Sequence, residues 1–318
     1  MKKQFDQVKE LLKKAKTVII AAHVDPDGDA IGSMLALAGI LEKLGKSVIC
    51  YSADNFPKVY RFLPGADTIK REILNQQHFN MAFVLDSSNL GRVGDKVDLT
   101  EITKVIVNID HHPDNTKFGE VNIVSNASST GELVYELAKA LQVKIDKPIA
   151  EALYTAIITD TGNFRYENTS VKTFEIAAEL LKAGVDTHTL TGQIYDRKTI
   201  ASIKILGLAL SNLRFSPDKK IVWTGVNDQM LKETGAMGED LVGIIDHLRA
   251  IDGIEVAVLF RRKENKCKVN FRSKDKANVS LIAKSLGGGG HVKAAGATIE
   301  GDCHDVVERV ITAIQKHL

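Results

Sequence analysis

Carboxylates and imidazoles gather at four places in this chain, each where an apolar run ends. Thr17–Ala22 leads into His23-Val24-Asp25-Pro26-Asp27-Gly28-Asp29-Ala30-Ile31-Gly32-Ser33. Met81–Leu85 ends in Asp86, Lys104–Ile109 ends in Asp110-His111-His112, and the helical pattern Ile149–Thr159 ends in Asp160. Oxygen and imidazole donors without thiolates suit Mn²⁺, Mg²⁺ or Fe²⁺ better than a structural zinc. So many acids in one crevice would repel one another unless cations neutralised them. With one acid shared, Asp86 being the best placed, two ions roughly 3.5–4 Å apart would activate a bridging water and hold both oxygens of a phosphoryl displacement.

Taken singly, each element is ordinary. Asp25-Pro26-Asp27-Gly28 is a turn sequence, an Asp after a strand commonly caps a helix, and a His pair is common on a surface. The set His23, Asp27, Asp29, Asp86, Asp110, His111 and Asp160, all at element ends, is not ordinary. Asp25 stays a turn residue. Ser33 and Ser87 lack a visible base partner and read as capping or packing residues rather than nucleophiles.

The elements that would position this set are legible. Thr17–Ala22, Ser47–Ser52, Met81–Leu85 and Lys104–Ile109 read as buried strands, with helical stretches such as Ala30–Leu44, closed by Gly45, between them. That rhythm predicts an α/β fold with a mainly parallel sheet flanked by helices. Ligands of such sheets bind beyond the carboxyl ends of the strands, where three of the four clusters fall. Residues 129–142, 148–160 and 170–183 read as helices, and Thr199–Leu213 as a connecting helix. Strands are expected at Lys220–Val226, Ile254–Arg261 and Cys267–Arg272, the last two joined by the turn Lys263–Lys266. Helical patterns at 228–234, 239–250, 277–286 and 303–317 surround them.

The order H-x-x-x-D-x-D-x-x-G-S from His23 to Ser33, then Asp86, D-H-H at 110–112 and Asp160, resembles the DHH phosphoesterase superfamily. That superfamily includes RecJ-like exonucleases, cyclic-dinucleotide phosphodiesterases, family II inorganic pyrophosphatases and small oligoribonuclease/pAp phosphatases. The resemblance implies one metal on His23, Asp27 and a bridging Asp86, and a second on Asp29, Asp86, His111 and Asp160. It also implies that Asp110 orients an imidazole and that His112 faces the substrate phosphate.

Near the C-terminus stands Gly287-Gly288-Gly289-Gly290-His291, preceded by Ser285-Leu286 and followed by small apolar residues. A flexible linker would have polar flanks. Consecutive unhindered N–H groups opening into a helix would instead cradle an anion. The segment resembles the substrate-binding DHHA1 domain, whose glycine–histidine motif contacts nucleotide. Of the basic residues on the preceding hairpin, Arg272 shares a face with Lys268 and Asn270 and is expected to point toward the cradle.

The resemblance gives three parts: a DHH catalytic domain at 1–190, a helical linker at 191–215 and a smaller α/β DHHA1 domain at 216–318. This layout argues against the pyrophosphatases and leaves no room for the extra domain of RecJ-like enzymes. It implies a two-Mn²⁺ hydrolase, with Mg²⁺ or Fe²⁺ as alternatives, acting on short single-stranded oligonucleotides and nucleotide bisphosphates. A phosphodiesterase for cyclic di-AMP or pApA shares the same centre, and a homodimer is compatible with it. A net charge of +2 over 318 residues argues against coating long nucleic acid. Cys50, Cys267 and Cys303 stand far apart and predict no disulfide framework, hence a reducing cytoplasm. The charged Met1–Lys16 is no signal peptide, and no apolar run is long enough to span a membrane.

Overall fold

Strands β1 (Thr17–Ala22), β2 (Ser47–Tyr51), β3 (Met81–Leu85), β4 (Ile106–Asp110) and β5 (Val121–Val124) form a parallel sheet in the order β2-β1-β3-β4-β5. The chain leaves β1 to build β2 on one side and returns to build β3 on the other. The carboxyl ends of β1 and β3 therefore flank the topological switch point, where α/β sheets open a crevice. This is a computed structural model, and it describes residues 1–73, 77–263 and 265–318.

Helices α1 (Lys2–Lys14), α2 (Gly28–Lys43), α3 (Leu99–Ile102), α4 (Thr130–Ala140), α5 (Lys147–Asp160), α6 (Val171–Lys182) and α7 (Thr187–Tyr195) complete the first of two units, Met1–Arg197. Ile20, Leu37, Phe83, Leu133 and Ile157 share its larger core, while Ile19, Tyr51 and Val84 fill a smaller one on the opposite sheet face. Close packing of α2 on α5 depends on glycine. A Cβ on Gly32 would lie 2.4 Å from the Ala152 carbonyl oxygen, and one on Gly28 would lie 2.4 Å from the Thr159 side chain. These contacts let the start of α2, with Asp27 and Asp29, lie beside the end of α5, with Asp160.

The second unit, Lys198–Leu318, begins with α8 (Ile200–Ser211). It continues through β6 (Arg214–Phe215), β7 (Ile221–Val226), α9 (Asp228–Thr234), α10 (Ile244–Arg249), β8 (Val256–Lys263) and β9 (Lys266–Ser273). It ends with α11 (Val279–Ser285), β10 (Gly289–Gly290), β11 (Ala294–Glu300) and α12 (Cys303–Gln315). Its sheet runs β10-β11-β9-β8-β7-β6, antiparallel except for the parallel pair β7–β8. The hairpin β8–β9 was legible in the sequence, although Glu264 of its turn lies outside the described residues. The stretch 191–215, expected as a linker, is divided between the units: Ile194 joins the first core, while Ile205 and Ala209 of α8 are buried with Val222 and Ala257 in the second.

Cysteine spacing misled. Cys267 and Cys303, 36 residues apart, form a disulfide with 5.3 Å between their Cα atoms, tying β9 to the start of α12. Tertiary packing brings them together, so the count of separated cysteines carries no information about redox compartment. Cys50 is buried and free. Among the described residues no helix is long and apolar enough to cross a membrane.

Candidate two-metal centre

Asp27 caps α2, its Oδ1 accepting from the N–H groups of Asp29 (3.0 Å) and Ala30 (3.1 Å). Capping fixes the turn that follows β1 and leaves Asp29 in the first helical turn, 1% exposed. Asp86 follows β3 with φ +53°, a left-handed conformation uncommon outside glycine, and is 2% exposed. Its N–H donates to the Ile109 carbonyl at 3.0 Å, which anchors this kink to the neighbouring strand.

Two imidazoles are locked by backbone carbonyls, which can only accept. Nδ1 of His23 therefore donates to the Val24 oxygen (2.7 Å), and Nδ1 of His111 donates to the Ala127 oxygen (3.2 Å). Each Nε2 is thereby turned toward the carboxylates, where it would offer its lone pair to a metal once its proton is displaced. His111 Nε2 lies 3.5 Å from Asp86 Oδ1, 3.6 Å from Asp160 Oδ2 and 3.7 Å from Asp29 Oδ2. His23 Nε2 lies 3.4 Å from Asp86 Oδ2 and 4.0 Å from Asp27 Oδ1. Most of these separations are too long for good hydrogen bonds. They approach the spacing of donors around a shared ion, roughly 3–3.4 Å when each donor stands about 2.1 Å away.

The electrostatics point the same way. Burial alone would raise the Asp86 carboxyl, but the imidazoles of His111 and His23 outweigh it and hold Asp86 well below the ordinary carboxylate value. Burial and the Asp86 charge push Asp29 well above that value; burial raises Asp160 to about 6. Burial opposes protonation of His23, yet Asp86 and Asp27 raise it to about 9, and His111 is likewise raised against its burial by Asp160 and Asp86. Without cations, then, the cluster holds protons where metals would otherwise neutralise it. Among the described residues of the first unit, three sets of side chains could each hold an ion: His23 with Asp27 and Asp86; Asp29 with His111 and Asp160; and Asp86 with Asp110 and His112.

The third set is already engaged internally. Nδ1 of His112 donates to Asp110 Oδ1 at 2.7 Å, and Asn115 Nδ2 reaches Asp110 Oδ2 at 2.6 Å. Asp110 is thus an orienting group, and Asn115, which sequence reasoning passed over, supports it. Asn168 was also missed: its Nδ2 contacts the Asp160 oxygens, Oδ2 at 3.3 Å and the backbone carbonyl at 3.1 Å. Ser33, read as a packing residue, touches the site by donating to Asp29 Oδ1 at 2.9 Å. Ser87 donates to the Asn89 carbonyl, a local turn bond.

The glycine run of the second unit differs from the cradle expected of it, because it does not open into a helix. It follows the end of α11. Gly287 (φ +80°) and Gly288 donate to the carbonyls of Lys284 and Ala283, capping that helix. Gly289 and Gly290 then pair with Gly296 and Ala295 of β11, and His291 begins the turn back to Ala294. A Cβ on Gly288 would sit 2.1 Å from the Gly296 oxygen, whereas one on Gly289 would meet nothing within 4 Å. Arg272 stands on β9 opposite Ala294, on the sheet face shared with Lys268 and Asn270, with Nε 3.9 Å from Asp246 Oδ1.

With this geometry in view, the family is clear. Residues 17–157 match the DHH family N-terminal domain and residues 218–318 the DHHA1 domain, and the chain belongs to the DHH family. It is 36% identical over 314 residues to the bifunctional oligoribonuclease and PAP phosphatase NrnA of Thermus thermophilus, covering 98% of this chain and 93% of that protein. Against the Bacillus subtilis protein of the same name it is 28% identical, covering 94% of each. An exopolyphosphatase-related protein from Bacteroides fragilis superposes with a TM-score of 0.92 at 26% identity, over 99% of this chain and 96% of that one.

Proposed function

We propose that this chain is a metal-dependent phosphoesterase that hydrolyses short oligoribonucleotides to mononucleotides and 3′-phosphoadenosine 5′-phosphate to AMP and phosphate. The observation that carries the reading is the orientation of Asp86. Its Oδ2 faces His23 and its Oδ1 faces His111, so one carboxylate joins two donor sets. Relatives matching nearly the whole chain are named for this pair of activities.

His23, Asp27 and Asp86 would hold one ion, and Asp29, His111 and Asp160 the other, with Asp86 joining the second set through the oxygen that faces His111. The all-oxygen-and-imidazole set favours Mn²⁺, with Mg²⁺ or Fe²⁺ as substitutes. When bound, the ions supply Lewis acidity and a hydroxide near neutral pH. Water adds to phosphorus as the ester oxygen departs with its electron pair and takes up a proton. Asp110 holds His112 through Nδ1, which sets that ring for a substrate phosphate. Arg272, Gly289, Gly290 and His291 contact the nucleotide that is not being cleaved, and Gly287 and Gly288, whose N–H groups cap α11, hold that segment in place. The reading places the enzyme in the cytoplasm.

The test is product analysis of the full chain with Mn²⁺ against pAp, pApA, a five-nucleotide RNA and cyclic di-AMP. Release of phosphate from pAp and of mononucleotides from the short RNAs is expected. Cleavage of cyclic di-AMP alone would replace this reading with that of a cyclic-dinucleotide enzyme, and no hydrolysis of any substrate would sink it.

A further inference from the structure

Helix α4 begins at the candidate metal centre, and the one acid of its opening sequence, Ser128-Ser129-Thr130-Gly131-Glu132, is turned to Ser128 and Lys172. Ser129 caps the helix, its Oγ accepting from the Glu132 N–H at 3.2 Å. Thr130, the next residue and fully buried, is therefore not needed for capping. Its bonds go elsewhere. The Thr130 N–H donates to Asp29 Oδ2 at 2.7 Å and the Gly131 N–H to Asp29 Oδ1 at 3.0 Å. The Thr130 hydroxyl donates to Asp86 Oδ1 at 3.1 Å.

Resting on the two-metal reading above, we propose that Thr130 is a positioning residue that sets the coordination of both carboxylates. A carboxylate oxygen accepts about two bonds. Asp29 Oδ1 already accepts from Gly131 and from Ser33, while Oδ2 accepts from Thr130 and keeps one lone pair toward His111. Asp29 is thereby restricted to one-oxygen coordination through Oδ2. The hydroxyl does a different job. Asp86 faces the His23 set with Oδ2 and the His111 set with Oδ1, and a quarter-turn about its Cβ–Cγ bond would swing the carboxylate plane away from both. By holding Oδ1 on the His111 side, Thr130 leaves Oδ2 on the His23 side. Close approach of α4 needs Gly131, where a Cβ would lie 2.5 Å from that of Ala156.

The test is Mn²⁺ titration calorimetry on metal-stripped full-length protein, comparing wild type, Thr130→Val and Thr130→Ser. Valine keeps the shape and the N–H but removes the hydroxyl; serine restores it. Loss of an outer hydrogen-bond partner lowers metal affinity by about 10- to 100-fold, so that loss is expected for valine, with serine within about threefold of wild type. Thr130→Val that binds Mn²⁺ as wild type does, at the same stoichiometry, overturns the proposal. If Thr130→Val fails to fold, Thr130→Ala, which only deletes atoms, carries the comparison. Wild type that takes up no Mn²⁺ would sink the two-metal reading itself, an outcome distinct from equal binding by wild type and variant.

Discussion

The two units treat polar groups in opposite ways. In the first, Asp29, Asp86, Asp110, His111 and His112 are buried, and backbone, hydroxyl and amide groups, or for His112 the Asp110 carboxylate, aim each of them. In the second, Arg272 is half-exposed on a sheet face, and the glycine run, separated from it by β11, serves chain geometry. Buried charges of one sign are costly unless something compensates them, so the first arrangement makes sense around cations. A half-open basic face with closely approaching backbone costs little when empty and suits an anion that comes and goes. The comparison separates a built centre, where chemistry belongs, from an adaptable surface, where grip belongs.

The largest effect is expected from Asp86→Ala. Removing the shared carboxylate loses several kcal/mol of charge stabilisation, about 10³-fold or more in turnover. Bound Mn²⁺ per chain, measured by plasma emission, should fall below the wild-type value. Wild-type metal content and rate in this variant would refute the bridging role.

Metal removal sharpens the same side of the comparison. The chelated protein should lose activity and stay folded, because the apolar strands lie beneath the ligands. Its stability should fall as pH rises. The folded His23 is raised from 6.5 to about 9, so its contribution is full below about 6.5 and lost through 9. His111 shifts the same way, and Asp160, raised to about 6, acts in the same direction at lower pH. Asp86, depressed, contributes above its unfolded value and loses that only in acid. Metal uptake releases these protons, so Mn²⁺ affinity should increase from pH 6.5 to 9. Chelated protein whose thermal midpoint rises across that interval would contradict the charge arrangement.

How much of this was readable beforehand follows from what each residue must do. Metal-ligand candidates announce themselves by type and by position at strand ends, so His23, Asp27, Asp29, Asp86, His111 and Asp160 were visible, and the structure gathers them. Thr130, Asn115 and Asn168 were not, because a hydroxyl or amide contact depends on which neighbour the fold supplies. Strand β5 is only four residues at a sheet edge, alternately buried and half-buried, and β11 is Ala- and Gly-rich with weak strand preference; pairing rather than pattern makes them strands. Four glycines in a row looked uniform, but three of them do structural work that only the fold reveals.

That inequality among glycines gives a finer test of the second unit. Gly288→Ala forces a Cβ against the Gly296 carbonyl and should cost about 1–3 kcal/mol of stability, seen as a lower denaturation midpoint. Gly289→Ala points into open space and should leave the midpoint unchanged while raising KM for dinucleotides. Equal KM in Gly289→Ala and wild type would make the run a structural connection only.

Arg272→Ala is expected to have the smallest effect, and it tests whether grip and chemistry are separable. The Arg272 guanidinium lies 3.9 Å from Asp246 and is 30% exposed, so that ion pair contributes little to stability. A phosphate arriving at this face would find a planar donor fork suited to two-oxygen contact. Because the site is half open, the loss on truncation belongs at the low end for charged hydrogen bonds, about 1.5 kcal/mol, or roughly tenfold in affinity. KM for pApA should therefore rise about tenfold, while Mn²⁺ content and hydrolysis of bis-p-nitrophenyl phosphate, held mainly by the metals, stay as in wild type. Arg272→Lys should recover only part of the loss, since it keeps the charge but not the fork. A fall in turnover of the small ester with unchanged KM for pApA would place Arg272 in the chemical step and erase the division between centre and surface.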